Sequence, residues 1–401
     1  MKKNIGSKIL IILLLNIIVS IFLIGCSNPE DNSEKNNEVL ALINGTLIDG
    51  SGLEPIFNAT IIIRDEYIEE IGQSSDIEVP DGANIIDISG KVMLPGFFNT
   101  HVHSNFSDNN LKTWAKAGVT TVRDLGYLGN NSLEQVFTAR NDLNTDLTNA
   151  HLVASGPLVT TVGGYGSFEV TSPEDARIKV QTLIDSGADI IKIAIEDNLQ
   201  GRTWPMLSMD EIIVIVNTAH ENGVPVSAHI SRSEHLEMAI EAGVDDVAHM
   251  VIDVLPDSLI TQMIEHDMYW EPTLELWKGV SEMYSLNWDN IAMNNLGRFV
   301  NAGGKVAIGT DFGGYTTEFD SGMPIREIQM MEDAGMSPMQ IIIAGTKNAA
   351  HVCNIEDKLG TLEIGKLADI IVVEADPLDD IEALVNIQIV IHNGTIIHTL
   401  F

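Results

Sequence analysis

The chain has 401 residues, 45% apolar and 20% charged, the composition of a folded protein large enough for one big domain and a companion. Its 57 acidic side chains against 22 basic ones leave a net charge of −35, which repels phosphate backbones and excludes nucleic-acid binding as a main role. Two cysteines, Cys26 and Cys353, rule out a disulfide-rich scaffold or a cysteine-based zinc site.

Residues 1–8 carry Lys2, Lys3 and Lys8 without an acidic residue, and residues 9–24 are apolar except for Asn16 and Ser20. A basic stretch before an apolar one of this length reads as a secretory signal. Its end, Leu23-Ile24-Gly25-Cys26, resembles a bacterial lipobox, which implies cleavage before Cys26 and lipid attachment to that cysteine. An uncleaved transmembrane anchor is the competing reading. The expected order is a signal peptide over 1–25, an acidic solvated tether over 26–38, and an extracytoplasmic body anchored by lipid to a bacterial membrane.

From residue 39 to 92 the text is short β-branched runs between Gly, Asp and Pro, and the same flavour returns over 362–401. These flanks are expected to pair as one small β-sandwich built from both ends of the mature chain. Between them, over 93–361, eight strand-like runs alternate with helical patterns: LPGFFNTHVH, GVTTVRDLG, HLVASGPLV, ADIIKIAI, VPVSAHI, DDVAHM, MYWEPTL and KVAIGTDF. That alternation predicts an α/β fold, a (β/α)8 TIM barrel of parallel strands. The longest segments after the runs, at 126–148, 159–174 and 275–300, are expected to be specificity loops, the last carrying Trp277, Tyr284 and Trp288.

Chemistry in such a barrel sits at the C-terminal ends of the strands. Run 1 ends in His101-Val102-His103, and two residues separated by one face the same side of a strand, so both imidazoles can reach one metal. Lys192 in run 4 alternates inward with Ile190 and Ala194, where an unpaired ammonium is strongly disfavoured. It is either salt-bridged to a nearby carboxylate or converted by CO2 into a carbamate able to bridge two metals. Runs 5 and 6 end at His229 and His249, and run 8 places Asp311 at the mouth, as a ligand or as a helix cap. The other seven histidines, His235 among them, are expected in structural or surface roles. Arg232, shortly after His229, is a candidate for binding a substrate carboxylate or an exposed helix-start residue.

The order His-x-His, Lys, His, His, Asp over these runs, with LPGFFNTHVH, GVTTVRDLG and KLGTLEIGKLADIIVV, resembles the amidohydrolase superfamily, and within it the imidazolonepropionase-like and prolidase-like hydrolases. The resemblance implies two divalent ions, with Zn²⁺ suiting the donors and Mn²⁺, Fe²⁺ or Co²⁺ compatible. His101 and His103 would hold one ion with Asp311 approaching it, His229 and His249 the other, and carboxylated Lys192 would bridge them. It further implies a metal-bridging hydroxide as nucleophile and Asp311 as the catalytic proton shuttle. The reaction implied is hydrolysis of an amide-like C–N bond in a dipeptide, an N-acyl amino acid or a cyclic amide. Phosphotriester or lactone hydrolysis would use the same centre, and a lipid-anchored solute-binding protein is the alternative outside catalysis. Relatives often carry Gly-Gly-His-Gly after run 3, whereas here the text is Gly163-Gly164-Tyr165-Gly166, which makes Tyr165 a candidate substrate contact. The partners implied are a small-molecule substrate and a membrane reached through Cys26, and a homo-oligomer is left open.

Overall fold

The computed structural model describes residues 39–103 and 105–400, so the signal segment, Cys26 and the tether lie outside it. The first flank forms β1 (Val39–Leu47), β2 (Ile56–Arg64), β3 (Tyr67–Gln73), β4 (Asn84–Asp87) and β5 (Val92–Pro95). The strand and helix sequence then runs β6 (Phe97–Val102), α1 (Asp108–Lys116), β7 (Val119–Asp124), α2 (Leu133–Leu143), β8 (His151–Ala154), β9 (Val159–Thr161), β10 (Phe168–Val170) and α3 (Pro173–Asp185). It continues through β11 (Ile191–Ala194), a hairpin of β12 (Asn198–Leu199) and β13 (Arg202–Thr203), α4 (Met209–Glu221), β14 (Val226–His229) and α5 (Ser233–Ala242). Next come β15 (Asp246–Ala248), α6 (Asp257–Glu265), β16 (Tyr269–Glu271), α7 (Leu274–Tyr284), α8 (Trp288–Asn301) and β17 (Lys305–Val306). The chain closes with α9 (Ile325–Asp333), α10 (Pro338–Gly345), α11 (Lys347–Val352), β18 (Ile370–Val373), β19 (Ile387–His392) and β20 (Thr395–Thr399).

The two flanks meet where β18 runs antiparallel to β5, pairing Ile370 with Pro95 and Val373 with Val92. Their strands form one eight-stranded sheet in the order β20-β19-β18-β5-β1-β2-β3, with β4 paired to β1, not two separately laddered layers. Alternation along β18 explains its four buried residues. Ile370 and Val372 enter the core of this sheet with Leu42, Ile61 and Ile389, while Ile371 and Val373 enter the larger α/β core.

All eight predicted runs contain parallel strands, β6, β7, β8, β11, β14, β15, β16 and β17. Their ladders form two sheets, β6-β7-β8 and β10-β9-β11-β14-β15-β16-β17, not one continuous ring. Backbone bonds tie the small sheet to the large one at both edges. Thr100 N donates to Ile308 O at 2.8 Å and His103 N to Phe312 O at 2.7 Å beside β17, and Asp189 N donates to Ala154 O at 3.0 Å beside β11.

The helices start where the sequence supplies caps. Ser132 with Gln135, Ser208 with Glu211 and Ser337 with Gln340 form reciprocal capping boxes, and Ser172 caps α3 with Pro173 in its first turn. Residues 275–300, expected as a loop, are instead largely the helices α7 and α8. Their apolar residues recur at helical spacing, Leu276, Trp277 and Val280 on one and Ala292, Leu296 and Phe299 on the other, and all six are buried. No helix among the described residues is long and apolar enough to cross a membrane. Cys353 is buried and free, and burial pushes its thiol up to about 12.

Candidate active site

The strand ends deliver His101, His103, Lys192, His229, His249 and Asp311 to one cavity of about 370 Å³. His101 closes in on Asp311 through Nε2, 3.3 Å from Oδ1, and His103 Nε2 lies 3.0 Å from the same oxygen. The ring of His249 sits 4.9 Å from that of His101 and 4.6 Å from that of His229, centroid to centroid. Two of these residues occupy left-handed backbone, His249 at φ 75° and Asp311 at φ 67°, and so does Thr273 beside them at φ 47°. Strain of this kind, about 1–3 kcal/mol per residue, persists where surrounding structure over-determines the geometry.

Outer contacts set the direction in which each imidazole points. His103 Nδ1 meets the Gly126 carbonyl at 3.1 Å, His249 Nδ1 meets Thr273 Oγ1 at 2.9 Å, and His101 Nδ1 faces the Glu271 carboxylate at 3.5 Å. These three rings therefore keep Nε2 for the cavity. His229 is reversed, with Nε2 3.5 Å from Glu196 Oε2, which leaves Nδ1. Burial, followed by the charge of Lys192, holds His101 well below the usual imidazole range; burial followed by neighbouring His229 does the same for His249. Burial opposes protonation of His103 too, yet its hydrogen bond to Asp311 wins and raises it. Burial likewise raises Glu196, but its contacts with His229, Ser231 and His235 bring it down to about 2.

Lys192 is buried, and its amine bonds only to Ser227 Oγ among the described residues; no carboxylate lies within salt-bridge distance of it. The salt-bridged alternative is thus not what the fold builds. Burial brings the amine down to about 7, opposed by Asp246 and furthered by Arg123.

The donor set fits a divalent ion: His101, His103 and Asp311 each offer one ligand atom, all within 4.8 Å of one another. Neutral imidazoles with a carboxylate oxygen are the ligand types that zinc and its neighbours take.

Tyr165 lines the same cavity, stacked on His229 at 4.5 Å and 27°, and burial raises its phenol well above the ordinary range. Trp204, Trp277, Leu158, Leu199 and Val280 supply apolar wall. Arg232 does not line the cavity; it is the N-cap residue of α5. The arginine at the cavity is Arg202, on the β12–β13 hairpin, with no acidic partner among the described residues. Of the aromatic residues in 275–300, Trp277 lines the cavity, Trp288 packs behind it at 5.7 Å, and Tyr284 is exposed.

A charged network beneath the histidines escaped the sequence reading. Arg123, wholly buried, clasps both Asp246 oxygens at 3.1 Å, pairs with Glu271, and donates to Thr100 O at 2.7 Å and Val352 O at 2.6 Å. The signal was an arginine alternating inward inside TTVRD. His235, expected to be structural or at the surface, is buried against Glu196 and Asp197 at the rim of the site. A larger cavity of about 660 Å³ lies at the opposite strand ends, but two of its three histidines form ordinary surface pairs, His220 with Asp245 and His351 with Glu356.

The sequence profile of the amidohydrolase family matches residues 92–397. The chain belongs to the amidohydrolase family. As a member it is an enzyme, a hydrolase of carbon–nitrogen bonds acting on small molecules. This amidohydrolase is 24% identical to ochratoxinase from Aspergillus niger, over 88% of its own length and 85% of that protein's. It is also 24% identical to imidazolonepropionase from Haloarcula marismortui, over 83% and 88% of the two chains. Among solved structures, a Xaa-Pro dipeptidase with bound methionine in its active site superposes with a TM-score of 0.79 at 25% identity, covering 90% of this chain and 99% of that one. Molinate hydrolase superposes at 0.76 with 26% identity, covering 90% and 94%.

Proposed function

We propose that this amidohydrolase cleaves an amide-like C–N bond in a dipeptide, an N-acyl amino acid or a cyclic amide, using two divalent ions, Zn²⁺ fitting best, which His101, His103, His229, His249, Asp311 and a carboxylated Lys192 would hold. The observation that carries the reading is the convergence of four imidazoles, one carboxylate and an unpaired buried lysine on a single cavity. Similarity to a Xaa-Pro dipeptidase supports the dipeptide-like substrate. In this reading the two parallel sheets act together as a (β/α)8 barrel over 93–361, and residues 39–92 and 362–401 build the companion sandwich.

A divalent pair supplies Lewis-acid chemistry, making a water nucleophilic near neutral pH and polarising the scissile carbonyl. The chain's own residues do the rest. The neutral amine of Lys192 adds to the carbon of CO2 and releases one proton, giving a two-oxygen anion. Asp311, held by His101 and His103, takes the proton of the attacking water and passes it to the departing amine. Tyr165 keeps its phenolic proton, because burial and nearby Asp311 disfavour its loss, and donates to the substrate. The aromatic and aliphatic walls exclude water and hold the apolar part of the substrate, while Arg202 meets a carboxylate at the mouth.

Export and lipid anchoring at Cys26 belong to the same proposal, supported by the basic and apolar leader that precedes it. The deciding experiment is turnover by the metal-loaded protein of dipeptides, N-acyl amino acids, lactams, lactones and phosphotriesters, beside elemental analysis. Two equivalents of metal with amide cleavage support the reading; turnover of esters alone overturns the substrate class. Membrane fractionation of Cys26→Ser, expected to release the protein, tests the anchor.

A further inference from the structure

Just past β11 the chain carries two adjacent acids, Glu196 and Asp197, and His235 in the first turn of α5 is wedged between them. The imidazole is 1% exposed. Its Nδ1 lies 3.9 Å from Glu196 Oε2 and its Nε2 lies 3.2 Å from Asp197 Oδ1. The two acids serve opposite sides. Glu196 Oε2 is also 3.5 Å from His229 Nε2, on the ring that faces the cavity. Asp197 opens the β12–β13 hairpin, its carbonyl accepting from Trp204 N at 2.8 Å, and the hairpin brings Leu199, Gln200 and Arg202 to the cavity wall.

Glu196 Oε2, His229 Nε2 and His235 Nδ1 are all buried, and none has a hydrogen-bond partner outside this cluster. Polar atoms cut off from water in this way have only one another and the Ser231 hydroxyl, so the loss of one leaves the rest poorly satisfied.

We propose that Glu196, His235 and Asp197 form a joint that sets two parts of the site at once. Through Glu196 it holds His229 as the Nε2–H tautomer, which keeps Nδ1 for the metal, and through Asp197 it fixes the hairpin that shapes the substrate cavity. His235 is a positioning residue: it reaches the reacting atoms only through its two acids. The inference rests on the metal-hydrolase reading above and deepens it by tying metal retention and substrate fit to one imidazole.

The test uses Glu196→Ala, Asp197→Asn and His235→Phe in the full chain, with three readouts. These are metal stoichiometry and affinity by chelator competition, the His229 tautomer by ¹⁵N NMR of the metal-free protein, and kcat and KM separately. Glu196→Ala is expected to weaken one of the two ions about 10–100-fold and to shift His229 away from the Nε2–H tautomer. Should it fail to fold, Glu196→Met keeps most of the volume without an oxygen acceptor and carries the same readouts. Asp197→Asn is expected to keep both ions and raise KM severalfold, and His235→Phe both to weaken an ion and to raise KM. A wild-type protein that binds no divalent ion overturns the functional reading itself. A wild-type protein with two ions, beside variants that match it in affinity, tautomer and KM, overturns the joint alone. The three residues also bring one donor atom each within 4.8 Å, so a third ion that disappears in His235→Phe would overturn the joint in favour of a cation site.

Discussion

Lys192 on β11 stands directly across from Ser227 on β14, and the lysine amine finds only that hydroxyl, 3.3 Å away. A buried ammonium needs an anion, and none lies within salt-bridge distance, so burial brings the amine down to about 7, where a neutral, reactive fraction is present. Lys192→Ala is therefore expected to lose bound metal and turnover together, with bicarbonate or a short carboxylic acid restoring part of both. Elemental analysis beside a hydrolysis assay checks this; a fully active variant would remove the bridge from the mechanism.

Asp311 accepts two imidazole contacts from a left-handed backbone that little but the fold imposes. Asp311→Asn keeps the shape and removes the base. It is expected to retain metal while kcat drops by about 10²–10⁴. Undiminished kcat would assign the proton transfer elsewhere.

Tyr165 lies nearly flat on His229 inside the cavity. Tyr165→Phe should leave metal content and thermal midpoint unchanged while lowering kcat/KM by about tenfold or more, the range for losing one aimed donor. Tyr165→Ala removes the stacking too and should lower it further. Steady-state kinetics of both variants separate the hydroxyl from the ring.

Two arginines compete for the role of carboxylate contact, and only Arg202 lines the cavity. Arg202→Gln is expected to raise KM about tenfold for substrates with a free carboxylate and to spare neutral lactams. Arg232→Gln should change neither, and KM values over a matched substrate pair decide between them.

The support beneath His249 carries a pH dependence. Its partner Thr273 precedes α7, whose first N–H groups, from Leu274 and Glu275, donate to the buried carboxylate of Glu327 on α9 at 2.9 and 2.7 Å. Burial lifts Glu327 from an ordinary 4.5 to about 8, against the pull of those two donors. A carboxyl raised in the folded state is protonated there while the unfolded chain has already released its proton. Its contribution is complete below pH 4.5 and is lost as pH climbs to about 8, at up to about 1.4 kcal/mol per pH unit. Thermal midpoints should fall across that window, and Glu327→Gln should flatten the fall.

The eight strands and the inward polar residues at their ends were legible in the sequence because each rests on short-range pattern. Alternation within IIKIAI turns Lys192 inward, and the x between His101 and His103 puts both rings on one side. Tertiary structure alone decided what lies behind those rings. Gly126, Thr273, Glu271 and Glu196 reach the imidazoles from other strands and loops, and Arg123 joins Asp246 and Glu271 beneath them. It also decided that residues 275–300 coil into helices, that Arg202 and not Arg232 meets the cavity, and that His235 is buried between two acids. Periodicity reports which face of its own element a side chain takes. The identity of the group it meets there depends on how separate elements pack, and no local pattern carries that information.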